Sequence, residues 1–325
     1  MVCRLPPYRG ESPFRDFPDL CRSFQKPDFG EDIFLTFEEK RDALRNKLEQ
    51  LASDHIALAF SGGVDSSLLY RMCCEAAEKT GRKVHAITIH TQLHPMNDLV
   101  TAGRVAAEGG VRGINDPAGG SGARGTSVAE HHVLYLDELE EAGIRFNPVD
   151  RCYLCKKCLF QKLIAKAEEL DAHTVLDGTN ADDLTVYRPG IRALRELGVI
   201  SPLAELGITK QEVRQMAAEY GLSVSTRPST PCLATRFPYG TELDYGLIRR
   251  VEEAEAWLRA QGFYNVRLRV HGAIARIEVD PESMSELVAM REDVLREMAK
   301  CGFDYITVDL AGFRSGSMDI HIDKA

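Results

Sequence analysis

The segment Ser61-Gly62-Gly63-Val64-Asp65-Ser66-Ser67 constrains the fold of this 325-residue chain more than any other. It follows an apolar run at residues 55–60, which predicts a buried strand, and precedes a stretch at 66–79 that predicts a helix. Glycines let backbone amides approach anionic oxygens, and a helix N-terminus adds its dipole and unpaired N–H groups. The serines can donate to phosphate, and Asp65 can help to hold Mg²⁺. The segment therefore predicts a loop that binds nucleotide phosphates; a serine-capped turn without a ligand is the weaker alternative.

Strand and helix patterns alternate on both sides of this loop. The periodicity of apolar residues predicts further strands at 83–90, 132–136 and 173–176, and further helices at 36–51, 97–108 and 156–170. Strands that alternate with helices predict an α/β fold, a doubly wound parallel sheet with helices on both faces.

The pattern changes after Gly240. A helix at 245–260, strands at 265–270 and 275–279, a helix at 282–300 and a strand at 305–310 predict a small C-terminal α+β domain for substrate binding or oligomerisation. We therefore expect an irregular N-terminal extension at 1–30, a nucleotide-binding domain at 31–238 and the C-terminal domain at 239–325. The Gly-rich stretch at 109–130 predicts an insertion within the first of these domains, and a mobile surface loop is favoured over a substrate lid.

Composition narrows the class of protein. The 40 basic and 49 acidic residues give a net charge of −9, which disfavours a nucleic-acid partner. The sequence shows neither a signal peptide nor a membrane-spanning apolar run, so we expect a cytoplasmic protein without a membrane partner. Nine cysteines, an odd number, favour metal or thiol chemistry over a disulfide framework. The nine histidines show no metal-binding spacing and are interpreted as ordinary.

The best thiol candidates lie in the segment Arg151-Cys152-Tyr153-Leu154-Cys155-Lys156-Lys157-Cys158, just before a predicted helix. Two residues between cysteines let one turn of chain present both sulfurs to one metal centre. The three basic residues and the helix N-terminus are expected to lower the thiol pKa and favour thiolate. Cys232, in a proline-stiffened segment, is a further candidate. Sulfur or cluster chemistry is favoured, with a structural zinc knuckle and a redox dithiol as alternatives.

Charged residues suggest two further sites. Arg267 and Arg269 alternate along one predicted strand, so both point to one face, which is either a binding face or a solvated one. Asp177 and Asp182 lie in an acidic loop that could assist Mg²⁺–ATP, although Asp182 could equally cap a helix.

The loop resembles that of the pyrophosphate-loop ATP pyrophosphatases, and the chain as a whole resembles the LarE family of ATP-dependent sulfur transferases. The resemblance runs from about Ala43 to Met318. Its ordered motifs are SGGVDSS, RCYLCK, DGTNADD (177–183), RPG (188–190), ATRFPYG (234–240), VRLR (266–269), ARIEV (275–279) and FRSGSM (313–318).

The resemblance implies an activity in nickel-pincer cofactor biosynthesis, in the maturation of lactate racemase. ATP would adenylate a carboxylate of pyridinium-3,5-biscarboxylic acid mononucleotide, and sulfur would then displace AMP to give a thiocarboxylate. One group of the family sacrifices the sulfur of a single cysteine, whereas another holds a [4Fe-4S] cluster with an added sulfide on three cysteines. Cys152, Cys155 and Cys232 match the three-cysteine group, and Cys158 stands outside its pattern.

The resemblance also implies residue roles and partners. Arg267 and Arg269 would hold the substrate phosphate, Glu255 and Glu278 would lie near the substrate, and Arg236 would contact ATP. Sulfide or another sulfur donor and a homo-oligomer, a hexamer, are implied as partners. Two alternatives remain: a tRNA thiolase of the same superfamily and a non-catalytic ATP-binding protein.

Overall fold

The computed structural model describes residues 35–108, 112–113, 128–186, 188–227 and 230–314. The described residues from Phe37 onward form one compact unit. The predicted extension at 1–30, most of the predicted insertion and the last residues of the FRSGSM motif lie outside the described residues. Within the part that is described, no helix is both long enough and apolar enough to cross a membrane.

The first sheet confirms the predicted α/β class. Its strands are β1 (Ile56–Ala59), β2 (Val84–His90), β3 (Arg112–Gly113), β4 (Ala129–Tyr135) and β5 (Thr174–Leu176). They lie in the order β3-β4-β2-β1-β5 and all pairs are parallel. The predicted insertion at 109–130 extends too far, since Ala129 is already the first residue of β4 and pairs with Val84 of β2.

Helices connect these strands on both faces. The first helices are α1 (Phe37–Leu51), α2 (Val64–Thr80), α3 (Met96–Glu108), α4 (Glu138–Glu141) and α5 (Arg151–Glu169). The next are α6 (Pro189–Glu196), α7 (Pro202–Glu205) and α8 (Lys210–Glu219). Helices α6 to α8 were not predicted, because they are short; the signals available were the prolines that begin α6 and α7 and the capping box of Thr209 and Glu212 at the start of α8.

Alternation along β1 explains the two helical layers. Ile56 and Leu58 belong to a core that includes side chains of α1, α2 and α8, whereas Ala57 belongs to a second core with side chains of α5 and α6. Successive residues of a strand point to opposite faces, so one short apolar strand must be covered on both sides.

A second sheet follows in the chain. It contains β6 (Arg267–His271), β7 (Ile274–Glu278) and β8 (Tyr305–Val308), with β6 antiparallel and β8 parallel to β7. Helix α9 (Tyr245–Ala260) is capped at its N-terminus by Asp244, whose carboxylate accepts a hydrogen bond from the Leu247 amide. The helix predicted at 282–300 is divided at Met290 into α10 (Met284–Ala289) and α11 (Arg291–Lys300).

A third hydrophobic core crosses residue 239, where we predicted a domain boundary. Leu93 and Leu139 from the first part of the chain belong to the same buried cluster as Leu258 of α9 and Ile277 of β7. The division of the chain into two domains stays a prediction.

Candidate active site

The candidate site lies where the order of the parallel strands reverses. The chain passes from β1 outward through β2 to β4, and then returns to place β5 on the other side of β1. Open α/β sheets bind ligands at the carboxyl ends of their strands at such a switch point. Ser61–Ser67 follows β1 and Asp177–Thr179 follows β5, so the fold brings both segments to this edge.

The loop after β1 has a backbone that requires glycine at one position. Gly62 has a φ of 69°, and a Cβ added there would lie 2.7 Å from the Cα of Ala102 in helix α3. Helix α2 begins at Val64, and no side chain caps it at Gly63. The Ser66 hydroxyl lies 3.2 Å from both the Ser61 hydroxyl and the Gly63 carbonyl oxygen. The uncapped helix end and the two hydroxyls suit an anionic phosphate group.

Asp65 stands at the start of α2 and reaches across the switch point. Asn180 Nδ2 donates to Asp65 Oδ1 at 3.0 Å, and Lys210 Nζ donates to Oδ2. Gly178 passes close beside it, since a Cβ at Gly178 would lie 3.2 Å from the Asp65 Cβ. Sequence reasoning missed Asn180 and Lys210; the Thr209–Glu212 capping box, which makes Lys210 the first residue of α8, was the available signal.

The two acidic-loop candidates differ in their surroundings. Asp177 is buried and accepts hydrogen bonds from Thr179, at 2.6 Å, and from Ser201; Lys156 Nζ lies 3.9 Å away. Asp182 is exposed, and its carboxylate accepts from the Lys210 amide at 2.9 Å. Asp182 therefore acts on the first turn of α8, in line with the capping alternative.

The cysteine motif lies within helix α5, not before it as we predicted. A shift of three residues rotates a helical side chain by about 60°, so Cys152 and Cys158 point about 120° apart. Cys152 and Cys155 line the cleft that also contains Ser61 and Asp65, whereas Cys158 lies beside Glu141 and Lys162.

Cys232 enters the same cleft from a distant segment. Asn147 connects that segment to α5: its Nδ2 donates to the carbonyl oxygens of Phe237 and Pro238, at 3.1 and 2.8 Å, and its Oδ1 accepts from Arg151. Arg151 is buried, and its Nη2 lies 3.8 Å from the Cys152 sulfur. Asn147 is a positioning residue that the sequence patterns did not reveal.

The electrostatics of Cys155 and Cys158 contradict the expected thiolates. Burial raises the pKa of Cys155 and of Cys232 above the ordinary thiol value, and the positive charge of Arg151 only partly opposes this at Cys232. Burial likewise raises the pKa of Cys158. The cost of burying a negative sulfur therefore outweighs the basic neighbours and the helix N-terminus on which the prediction depended. A bound metal centre would reverse the balance, because a coordinating thiol is deprotonated.

The cleft has a volume of about 460 Å³ and is continuous from the loop to the three cysteines. Its other polar lining residues include His94, which we did not predict, and Lys156 and Arg188 from the RCYLCK and RPG motifs. The three cysteines share this cleft without bringing all their sulfurs within 4.8 Å of one another. Sulfurs around a single zinc ion would lie only about 3.8 Å apart, given bonds of about 2.3 Å, so the three thiols as placed do not form a zinc site.

The remaining candidates form a separate Arg/Glu cluster, outside the lining of the cleft. Arg236 is fully buried and donates to both carboxylate oxygens of Glu255, at 2.7 and 2.9 Å. Arg269 donates to Glu278 at 3.1 and 3.2 Å and to the Thr235 carbonyl oxygen at 2.7 Å. The structure thus brings Arg236, Glu255, Arg269 and Glu278 together, but it does not bring them to the nucleotide loop.

Arg267 differs from the other arginines of this cluster. It donates to the Val266 carbonyl oxygen at 2.7 Å and lies over the Phe313 ring, and none of the described carboxylates pairs with it. Burial, together with the charges of Arg236 and Arg269, lowers its pKa to about 10. An anion bound beside Arg267 would therefore stabilise the charged form of its guanidinium.

Comparison with known proteins agrees with this geometry. Residues 36–115, which contain the loop, match the NAD synthase family. An uncharacterised protein of Synechocystis sp. is 36% identical over 288 residues, 86% of this chain and all of the relative. An uncharacterised protein of Methanocaldococcus jannaschii is 29% identical over 282 residues, 86% of this chain and all of the relative.

A third relative has a named activity. The pyridinium-3,5-bisthiocarboxylic acid mononucleotide synthase of Lactiplantibacillus plantarum is 34% identical over 291 residues, 89% of this chain and 97% of the relative. The alignment spans both the nucleotide loop and the cysteine segments, so the likeness is not confined to a shared ATP-binding motif. The chain belongs to the family of this synthase, the LarE family of enzymes built on a pyrophosphate-loop fold.

Proposed function

We propose that this enzyme uses ATP to insert sulfur into pyridinium-3,5-biscarboxylic acid mononucleotide. The observation that carries the proposal is the single cleft that contains both the phosphate-binding loop and the thiols of Cys152, Cys155 and Cys232. Activation of a carboxylate and delivery of sulfur to it are successive steps on one carbon atom, so a shared cleft meets the need for proximity.

The first step is adenylation. A carboxylate oxygen of the substrate attacks the α-phosphorus of ATP, the bond to the β-phosphate oxygen breaks, and pyrophosphate leaves. The amides at the start of α2 and the hydroxyls of Ser61 and Ser66 would hold the phosphates. Asp65 would hold Mg²⁺, which prefers carboxylate and phosphate oxygens, and Lys210 beside it would neutralise phosphate charge.

The second step replaces the activated oxygen by sulfur. Sulfide attacks the acyl carbon, the bond to the AMP oxygen breaks, and AMP leaves with the electron pair. Cys152, Cys155 and Cys232 would hold a [4Fe-4S] cluster, since all three line the same cleft. When bound, the cluster supplies an iron without a cysteine ligand that can carry the sulfide. Burial raises the pKa of Cys155 and Cys232 and so favours their neutral thiols until a metal binds, whereas Cys152 is exposed.

The substrate phosphate would bind at the Arg/Glu cluster, with Arg267 as the principal contact. Its guanidinium, which forms no ion pair with any carboxylate in the described part of the chain, has the charge and the donor geometry that a phosphate requires. Arg269, Arg236, Glu255 and Glu278 would hold the surrounding structure, since they neutralise one another in buried ion pairs. A homo-oligomer, by resemblance a hexamer, is part of the proposal; exposed Tyr264, Tyr305 and Leu310 offer apolar contact area.

The decisive experiment measures pyrophosphate released from ATP and Mg²⁺ with and without the dicarboxylate mononucleotide. Release that depends on the mononucleotide, with formation of its thiocarboxylate when sulfide is supplied to anaerobically reconstituted protein, is the expected result. Stimulation by tRNA and indifference to the mononucleotide would identify a tRNA thiolase instead. Binding of ATP without any pyrophosphate release would identify a binding protein.

A further inference from the structure

Three side chains with metal-binding atoms meet at the end of the parallel sheet opposite the cleft. His85 lies on β2, and Glu130 and His132 lie on β4. His85 pairs in register with Glu130, and Ile87 with His132, so all three side chains project from the same face of the sheet. His85 precedes Ile87, the first residue of β2 that lines the cleft, by two positions, which places the cluster about 7 Å along the strand from the edge of the cleft.

The distances among the three ligand atoms match those around one ion. His85 Nδ1 lies 3.2 Å from His132 Nε2 and 3.4 Å from Glu130 Oε2, and His132 Nε2 lies 3.6 Å from Glu130 Oε2. Zinc bonds of about 2.0–2.1 Å in a tetrahedral arrangement separate ligand atoms by about 3.3–3.4 Å. Among the described residues, no other three His, Cys, Asp or Glu side chains bring their ligand atoms within 4.8 Å of one another.

The surroundings hold the ligands in place. Lys83 Nζ donates to Glu130 Oε1 at 2.6 Å, which leaves Oε2 directed toward the imidazoles. His85 and His132 are buried, and burial lowers the pKa of both, so each ring carries a neutral nitrogen of the kind that binds metals. The positive charges of Lys83 and Lys166 repel a bound cation. The negative charge of Glu130 attracts the cation and offsets this repulsion.

We propose that His85, Glu130 and His132 form a binding site for one divalent transition-metal ion such as Zn²⁺, separate from the thiol site. Two imidazoles and one carboxylate suit zinc and its first-row neighbours, whereas Mg²⁺ and Ca²⁺ prefer oxygen ligands. Three protein ligands leave a fourth position for water. The ion would join β2 to β4 and stabilise the pairing of these strands. The histidines, which we interpreted as ordinary from sequence, thus acquire a specific role.

The test uses the untagged full-length chain with Cys152→Ser, Cys155→Ser and Cys232→Ser, so that the thiol site does not contribute. Equilibrium dialysis against Zn²⁺ is expected to show one tightly bound ion per chain. Zn²⁺ in excess should raise the midpoint of thermal unfolding by several degrees, as binding to the folded state requires. Adding Glu130→Gln should weaken binding at least tenfold, and adding His132→Asn should abolish it. His173→Asn, at an exposed histidine beside Asp171, is the matched control and should change neither result.

Glu130 is partly exposed, so Glu130→Gln should fold even if the buried His132→Asn does not; circular dichroism in EDTA checks this. In the triple-serine chain loaded with Co²⁺, ligand-field bands without thiolate charge-transfer bands are expected, and Glu130→Gln should weaken them. Zinc binding that is unaffected by Glu130→Gln, or no zinc binding in the triple-serine chain, would overturn the proposal. The three side chains would then be a hydrogen-bonded cluster that joins β2 to β4 without an ion.

Discussion

Individual side chains in this protein divide into those that are free to meet a ligand and those already committed to the fold. Asp65 and Arg267 belong to the first group, since both are only half-buried, Asp65 lines the cleft and neither is part of a hydrophobic core. Arg236 and Glu255 belong to the second, as a fully buried pair with two parallel hydrogen bonds. Removing one partner of such a pair costs about 3–5 kcal/mol, so its members are poor choices for a test of binding.

Asp65→Ala should abolish pyrophosphate release and leave the folded structure intact. The carboxylate is assigned to Mg²⁺, and its contacts with Asn180 and Lys210 lie at the edge of the cleft, where losing an ion pair costs at most about 1 kcal/mol. The amount of pyrophosphate released measures the activity, and the midpoint of thermal unfolding measures whether the fold is intact. Asp182→Ala is the control, because its exposed carboxylate contacts only backbone and should leave pyrophosphate release nearly unchanged. An active Asp65→Ala enzyme would contradict the metal assignment.

Arg267→Ala and Arg269→Ala should separate binding from stability. Arg267→Ala should weaken mononucleotide binding by about 1–3 kcal/mol, the value of a charge-assisted contact, with little change in the free energy of unfolding. Arg269→Ala should also lower the free energy of unfolding by about 3 kcal/mol, because it removes a buried partner of Glu278. Calorimetric titration with mononucleotide and with ATP, and denaturant unfolding, measure these quantities. An equal loss of ATP affinity in Arg267→Ala would place this arginine at the nucleotide site instead.

At the scale of elements, helix α5 decides which thiols can act together. Its rotation turns Cys152 and Cys155 toward the cleft and Cys158 away from it, and Asn147 holds the Cys232 segment against its first turn. The C-x-x-C-x-x-C spacing gave no means of choosing among the cysteines. An extended or looped segment could present all three sulfurs to one metal, whereas a helix cannot.

Cys152→Ala, Cys155→Ala and Cys232→Ala should each abolish both the cluster and sulfur transfer, and Cys158→Ala should retain both. The reason is that the first three thiols share one cleft and the fourth lies on another face of α5. Iron and acid-labile sulfide are measured after anaerobic reconstitution, alongside thiocarboxylate formation. Cluster loss in Cys158→Ala but not in Cys232→Ala would refute the ligand assignment. A mass loss of ~34 Da at Cys232 after turnover would instead indicate sacrifice of its sulfur.

At the scale of the whole molecule, the two sheets share a hydrophobic core that crosses the predicted boundary at residue 239. The net charge of −9 disfavours binding of a nucleic acid, because the phosphate backbone is also negative. The cytoplasmic location and the hexamer stay predictions. Stability is expected to be shared as well, because the burial of Leu93 and Leu139 depends on α9 and the second sheet.

Unfolding by denaturant should therefore be a single transition. Trp257, the only tryptophan of the chain, lies in α9 and reports on the second sheet and its helices, whereas far-ultraviolet circular dichroism reports on all helices. The two signals should give the same midpoint, as cooperative unfolding requires. Leu93→Ala should shift both midpoints equally, by an amount that corresponds to about 2–5 kcal/mol. Separate midpoints would show that residues 239–325 fold as an independent domain.

The sequence by itself determined the local features: the phosphate loop, the alternation of strands and helices, and helices such as α2 and α9. These depend on short-range periodicity and turn chemistry, which can be read from neighbouring residues. It placed the start of α5 too late and missed α6 to α8, whose turns are short. The family resemblance had pointed to Cys232 and not Cys158, but only the tertiary structure decided that Cys232 shares a cleft with Cys152 and Cys155, that burial raises the pKa of Cys155 and Cys232, and that Glu130 meets two histidines. Each of these depends on contacts between residues far apart in the chain and on the water that such contacts exclude, neither of which a local pattern encodes.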